Sequence, residues 1–152
     1  MAENGRKIIT VNRRARFDYE ISELYEAGMA LQGTEVKSLR QGHVSLKDAY
    51  GDVQDGEVYL LNAHIDPYEQ GNRNNHEPER PRKLLLHKQE IRRLIGKTQE
   101  RGLTLIPTRM YFAGGKAKVE IGLAKGKKNY DKRQDLKRRT AERDVERALR
   151  EV

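Results

Sequence analysis

The chain has no cysteine, no tryptophan, two phenylalanines and four prolines. Without cysteine there is no disulfide, no cysteine-held zinc and no thiol nucleophile. No apolar run approaches the roughly 18 residues a membrane-spanning helix needs. Met1 to Gly5 contains no apolar stretch of the kind that marks a secretory leader, so the cytoplasm is the expected compartment. With hydrophobic residues at 36% and a mean hydropathy of −0.94, the core must be small and most of the surface wet. A small barrel fits those numbers better than a layered α/β sandwich. The 152 residues suffice for one domain and a tail.

Signatures of catalysis are missing as well. No GxSxG, GxGxxG or GxxxxGK[ST] pattern occurs, and the histidines His43, His64, His76 and His87 lack the spacing of a helical metal site. Asp48, Asp52, Asp55 and Glu57 gather around a turn, where solvated charge is their ordinary explanation. A nuclease would need carboxylates converging on a metal, which spacing alone does not indicate. The expectation is a protein that binds, with no cofactor and no metal, and is not an enzyme.

What the sequence does have is positive charge, unevenly placed. Of 31 Lys and Arg, 11 fall in Lys125 to Val152 against 6 acids, so that segment carries +5 of the net +8. Ala141, Val145, Ala148, Leu149 and Val152 recur at helical spacing, a thin apolar stripe on a charged rod. A lone helix so poorly supplied with apolar surface is marginal in water. The segment from 125 is therefore expected to be disordered when free and to become helical against a polyanion, with phosphate contacts offsetting the ordering entropy. It lacks Trp, Phe or Ile to insert into a bilayer, so a membrane partner is not expected.

The body, residues 1–124, reads as strands with two helices. Ile8, Ile9 and Val11 suggest a short strand leading into the basic Asn12 to Arg16, a phosphate clamp or a solvated turn. Tyr19 to Leu31 reads as a long curved strand, with a bulge or bend at Gly28. Gly33 stops it, and Thr34 can cap a short helix with Glu35 in its first turn, Val36 and Leu39 on the buried edge, and Lys37 and Arg40 outside. Asp55-Gly56 signals a hairpin between Ala49 to Gln54 and Glu57 to Ile65. Pro67 to Pro81 reads as a long exposed loop. A helix is expected from about His87 to Arg101, with Gly102 at its C-terminal cap. Gly114-Gly115 then joins Leu103 to Phe112 with Lys116 to Leu123, where Ala117, Val119, Ile121 and Leu123 alternate with Lys116, Lys118 and Glu120. This order favours a mainly β fold, a small closed Greek-key barrel of the oligonucleotide-binding type, over a ferredoxin-like α+β sheet.

Four segments in this order carry a resemblance: Asn12-Arg-Arg-Ala-Arg16 with Tyr19; Gly33-Thr-Glu-Val-Lys-Ser-Leu-Arg40; Arg82-Lys-Leu-Leu-Leu-His87; and Gly122-Leu-Ala-Lys-Gly-Lys-Lys128 with Tyr130-Asp-Lys-Arg133. Together they resemble the SsrA-binding protein family, also called small protein B. The resemblance implies an oligonucleotide-binding-type barrel, monomeric, that grips the tRNA-like domain of transfer-messenger RNA and delivers it to stalled ribosomes. There the tail would enter the decoding region and the vacant message channel. It implies RNA contacts at Glu26, Leu85, His87 and Lys118, and at the basic Lys125, Lys127 and Lys128, with Glu35, Lys37 and Arg40 on the motif helix. Asp131, Lys132 and Arg133 match the start of the family's ribosome-acting tail. Phe17 stands where many members carry His, which implies stacking on a base in place of protonation. The other reading that the residues leave open is a ribosomal or other structural RNA-binding protein.

Overall fold

The computed structural model describes residues 2–3, 6–68, 75–100 and 102–126. The fold is mainly β. Its elements are β1 (Ala2–Glu3), β2 (Arg6–Val11), α1 (Ala15–Asp18), β3 (Tyr19–Met29), α2 (Gly33–Arg40), β4 (Val44–Ser45), β5 (Tyr50–Gln54), β6 (Glu57–Leu61), β7 (His64–Ile65), β8 (Arg82–Leu85), α3 (Lys88–Thr98), β9 (Leu103–Ala113) and β10 (Lys116–Gly126). One sheet runs β1-β2-β9-β10-β3-β8-β6-β5, and β5 returns to β9, so the ladder closes into a ring. That is not the open sheet of the ferredoxin-like alternative. Closure rests on the pairing of Gly51 with Leu105. A Cβ at residue 51 would lie 2.7 Å from that of Leu105, so glycine is needed for the two strands to meet.

The ring encloses Val58, Leu60, Leu84, Leu105, Met110, Val119 and Ile121, all fully buried. In the last strand Val119, Ile121 and Leu123 face inward while Lys116 and Lys118 do not, following the strict period of two. At Asp55-Gly56 both residues have positive φ, +52° and +76°, as the tight hairpin between β5 and β6 requires.

Three local expectations differ from what forms. The bulge in β3 falls at Ser22 and not at Gly28, since Leu123 pairs with Glu23 and Ala124 with Ile21. The Ser22 hydroxyl donates to the Leu123 carbonyl at 3.3 Å, supplying a bond at the skipped position. Glu57 to Ile65 is broken at Asn62, which has a φ of +61°, and His64–Ile65 leaves to pair with β4. Finally, the helix after β8 runs Lys88–Thr98 and ends short of Arg101.

The motif helix α2 is fixed by a buried charge. Glu35 sits at its third position and accepts from the Gln32 N–H at 2.8 Å, so Gln32 and not Thr34 is the cap residue. The same carboxylate accepts from Arg80 at 2.5 Å and from Arg82 Nε at 2.7 Å. Arg82 also donates to the carbonyls of Ala63 at 2.6 Å and Pro78 at 3.0 Å. Glu35 and Arg82 are both 0% exposed. Burial pushes the Glu35 carboxyl up, but hydrogen bonds from Arg80, the Gln32 amide and Arg82 outweigh it and hold it below its ordinary 4.5.

Removing Arg82 leaves the buried Glu35 carboxylate with one oxygen unpartnered and only Arg80 and the Gln32 amide on the other, so Arg82→Met should cost about 3–5 kcal/mol in urea unfolding. Because the Glu35 carboxyl titrates lower in the folded than in the unfolded chain, its contribution is complete above about pH 5 and lost as pH falls through the folded value. Glu35→Gln should therefore start less stable at pH 7 and lose less than the parent between pH 5 and pH 3. A parallel decline in both proteins would remove Glu35 from the acid response.

Candidate nucleic-acid interface

Residues directly opposed in an antiparallel ladder share a face, and the register assembles one wide outer face from five strands. A first row runs Ile8, Tyr111, Lys118, Gly28 and Leu85 across β2, β9, β10, β3 and β8. A second runs Val11, Arg109, Glu120 and Glu26. Lys118, Leu85 and Glu26, distant in sequence, are thereby neighbours. Gly28 lies between Lys118 and Leu85, and a Cβ there would approach to 3.3 Å of the Leu85 Cβ and 3.7 Å of the Lys118 Nζ. The small residue leaves a cleft of about 330 Å³ lined by Gly28, Leu31, Val36, Leu85, Lys116 and Lys118.

Leu85 is 53% exposed, a large apolar side chain on a charged surface. His87 follows two residues on, exposed, at the start of α3, where its backbone N–H donates to Glu90 at 3.1 Å. The chain thus offers an exposed apolar side chain at the end of β8 and, two residues on, an exposed imidazole at the start of α3, groups suited to an unpaired base. An ion pair between Arg93 and Glu23 fastens α3 to β3.

Glu26 is held in place. Its Oε2 accepts from the Tyr111 hydroxyl at 2.5 Å and from Arg6 at 3.0 Å. Tyr111 is 1% exposed although it lies on the outer face, because Arg6 and Arg109 cover its ring at 4.7 and 5.5 Å from the centroid. Burial, and then the hydrogen bond to Glu26, push its phenol up to about 12, so it remains a donor at any physiological pH. Beside it Arg109 is paired with Glu120.

The face continues into a second cleft of about 620 Å³ that includes Val11, Arg13, Arg16, Leu24, Arg109 and Glu120. Val11 and Leu24 are 51% and 46% exposed. Arg13, Arg14 and Arg16 are exposed on and before α1. Asn12 is structural in this motif: its side chain donates to the Pro107 carbonyl at 2.9 Å and its amide to the Thr108 carbonyl at 2.8 Å.

Several sequence-derived positions fall elsewhere. Glu35 cannot touch RNA, since it is fully buried and its oxygens are taken by Gln32, Arg80 and Arg82. Lys37 is exposed but lies over the Tyr68 ring at 5.4 Å, outside the cleft that its neighbour Val36 lines. Arg40 is exposed at the end of the same helix. Phe17 is 8% exposed beneath Arg14, 4.8 Å from its centroid, so it is not presented for stacking on a base. Lys125 is exposed near the end of β10. Lys127, Lys128, Asp131, Lys132 and Arg133 lie outside the described residues, as does the rest of the basic tail. Among the described residues no three His, Asp or Glu side chains gather as a metal set.

Sequence reasoning missed Tyr111, Arg6 and Arg82. Tyr111 had a signal, because counting outward from Gly114-Gly115 pairs it with Lys118. Arg82 had one too, in alternation with the buried Leu84. Arg6 meets Glu26 only through β9 and β10, and nothing local announces it.

Lys118→Ala should weaken RNA binding and flatten its salt dependence by about one phosphate contact, a log–log slope change of roughly 0.7–0.9. An unchanged slope would place Lys118 off the RNA backbone.

The family described as SmpB protein matches residues 9–151. An SsrA-binding protein of Carboxydothermus hydrogenoformans is 62% identical over 144 residues, 95% of this chain and 97% of its own. One from Geobacillus thermodenitrificans is 59% identical over 151 residues, covering 99% and 97%. A solved structure, "tmRNA-SmpB: a journey to the center of the bacterial ribosome", superimposes with a TM-score of 0.67 at 58% identity, over 79% of this chain and 85% of that one.

Proposed function

Because the chain belongs to the SmpB family of SsrA-binding proteins, we infer that it is the protein partner of transfer-messenger RNA in ribosome rescue. It binds that RNA and acts with it on the ribosome in trans-translation, as its relatives' names and the structural neighbour support. The observation that carries the reading is the outer face on which Lys118 and Leu85 flank Gly28, a cation for phosphate beside an apolar surface for an unpaired base, with the exposed His87 two residues beyond Leu85.

The finer assignments rest on this face and on charge. The six-membered ring β9-β10-β3-β8-β6-β5 is read as an oligonucleotide-binding-type barrel, with a helix inserted before its final hairpin. Its RNA target is the tRNA-like domain, contacted by Glu26, Leu85, His87 and Lys118 and flanked by Lys125. Lys125 and Gly126 close β10, and residues 127–152, including Lys127, Lys128, Asp131, Lys132 and Arg133, serve the ribosome: disordered in isolation, they become helical in the decoding region and vacant message channel, where their net +4 meets ribosomal RNA. The protein is an adaptor and not an enzyme, acting as a monomer in the cytoplasm.

A titration against the tRNA-like domain, with an ordinary tRNA of equal length competing at near-physiological salt, tests the body. Clear preference for the former is expected, whereas equal binding would mean that only charge is read and would favour a structural RNA-binding protein. Truncation after Lys128 tests the tail: RNA affinity should stay within about twofold while tagging on stalled ribosomes is lost. Tagging by the truncated chain would refute the role given to residues 129–152.

A further inference from the structure

A carboxylate on an RNA-binding face is costly unless it finds a donor, since phosphate repels it. Glu26 is such a carboxylate, and the manner of its anchoring says what it is for. Both protein donors, the Tyr111 hydroxyl and an Arg6 N–H, converge on one oxygen, Oε2. Among the described residues nothing donates to Oε1, and the Glu26 side chain is 41% exposed. Tyr111 is itself immobilised, nearly buried and covered by two guanidinium groups. The carboxylate is thus fixed through one oxygen and open at the other, two rungs along β3 from Gly28 and beside the row that carries Lys118 and Leu85.

We propose that Tyr111 and Arg6 are positioning residues that hold Glu26 as a fixed acceptor for a neutral hydrogen-bond donor on an unpaired RNA nucleotide. The proposal rests on the RNA-binding reading above and deepens it. An ionised carboxylate can only accept. Phosphate offers no proton at neutral pH, so the donors available are the N–H groups of a base edge and the ribose 2′-hydroxyl. Lys118 reads charge. Glu26 rejects it and demands a donor at one place, which gives specificity where Lys118 gives affinity. The Arg6 guanidinium has a second effect: it offsets the negative charge that would otherwise deter the approaching backbone.

The test uses the full chain with the tRNA-like domain of transfer-messenger RNA, titrated at several salt concentrations. Glu26→Gln raises the net positive charge, so a protein that reads only charge would bind more tightly. The expected result is the reverse, roughly tenfold weaker binding with an unchanged salt slope. The glutamine carbonyl is drawn to Tyr111 and Arg6, which turns its NH2 toward the RNA, donor against donor. Tyr111→Phe keeps the ring beneath its two arginines and removes only the hydroxyl. It should weaken binding several-fold in the parent and not further in the Glu26→Gln background, because it acts through Glu26.

Thermal unfolding of each variant within a few degrees of the parent separates this from damage to the fold, and Arg6→Lys, which keeps the charge, gives an independent check by retaining most of the affinity. Unpaired nucleotides carrying 2′-deoxyribose assign the donor: if the Glu26→Gln penalty vanishes on that RNA the 2′-hydroxyl is read, and if it persists a base N–H is. Equal or tighter binding by Glu26→Gln, or losses that multiply in the double variant, would overturn the proposal while leaving the RNA-binding reading intact. Failure of the parent to prefer this RNA over tRNA would overturn both.

Discussion

Glu35 and Arg82 form the constraint around which the rest is arranged. Two fully buried ions are expensive to desolvate, and their attraction repays that cost only where every remaining donor and acceptor is also met. Here they are. Arg82 reaches the Ala63 and Pro78 carbonyls as well as Glu35, and Glu35 closes the first turn of α2 through Gln32 and takes Arg80 besides. One network therefore joins the motif helix, the turn after β6, the end of the long loop and the start of β8. A second link, the ring of His76 between the Thr34 hydroxyl and the Ile65 carbonyl, ties the same loop to the same helix.

The consequence for function is mechanical. Leu85 follows Arg82 within one short strand that ends there, so a strand registered by a buried ion pair carries Leu85 to the edge of the face and leads on to His87 at the start of α3. Lys118 arrives from the other side on β10, registered by the Gly114-Gly115 hairpin. Gly28 permits the two to meet, because no side chain stands between them. Leu85 and Lys118 are thus each placed by a strand instead of a loop, which lowers the ordering cost of any ligand bound across this face.

The motifs of the sequence had merged two kinds of residue. Glu35 and Arg82 sit among lysines and arginines in motifs that resemble an RNA-binding family, and Glu35 passed for a contact residue on that account. Its burial shows it to be a brace. Asn12 is likewise a backbone tie, and Phe17 is a core-edge ring beneath Arg14. Periodicity separated the roles where it was strict. It placed Lys118 outward and Val119 inward without error, and it would have placed Arg82 inward with Leu84 had the charge of the side chain been set aside.

By itself the sequence determined what depends on local chemistry: the hairpins at Asp55-Gly56 and Gly114-Gly115, the strands flanking them, the helix beyond His87, and the family. These follow from turn geometry and from periods of two and 3.6, all legible over a few residues. Only the tertiary structure decided that Arg6 and Tyr111 meet on one oxygen of Glu26, that Glu35 is buried against Arg82, and that β5 closes on β9 at Gly51. Each of these joins segments separated by 20 to 85 residues in the hydrogen-bonded pairs, and strand order around the ring sets them. Local propensity carries no information about which strands become neighbours, because that choice is made by the packing of the whole core.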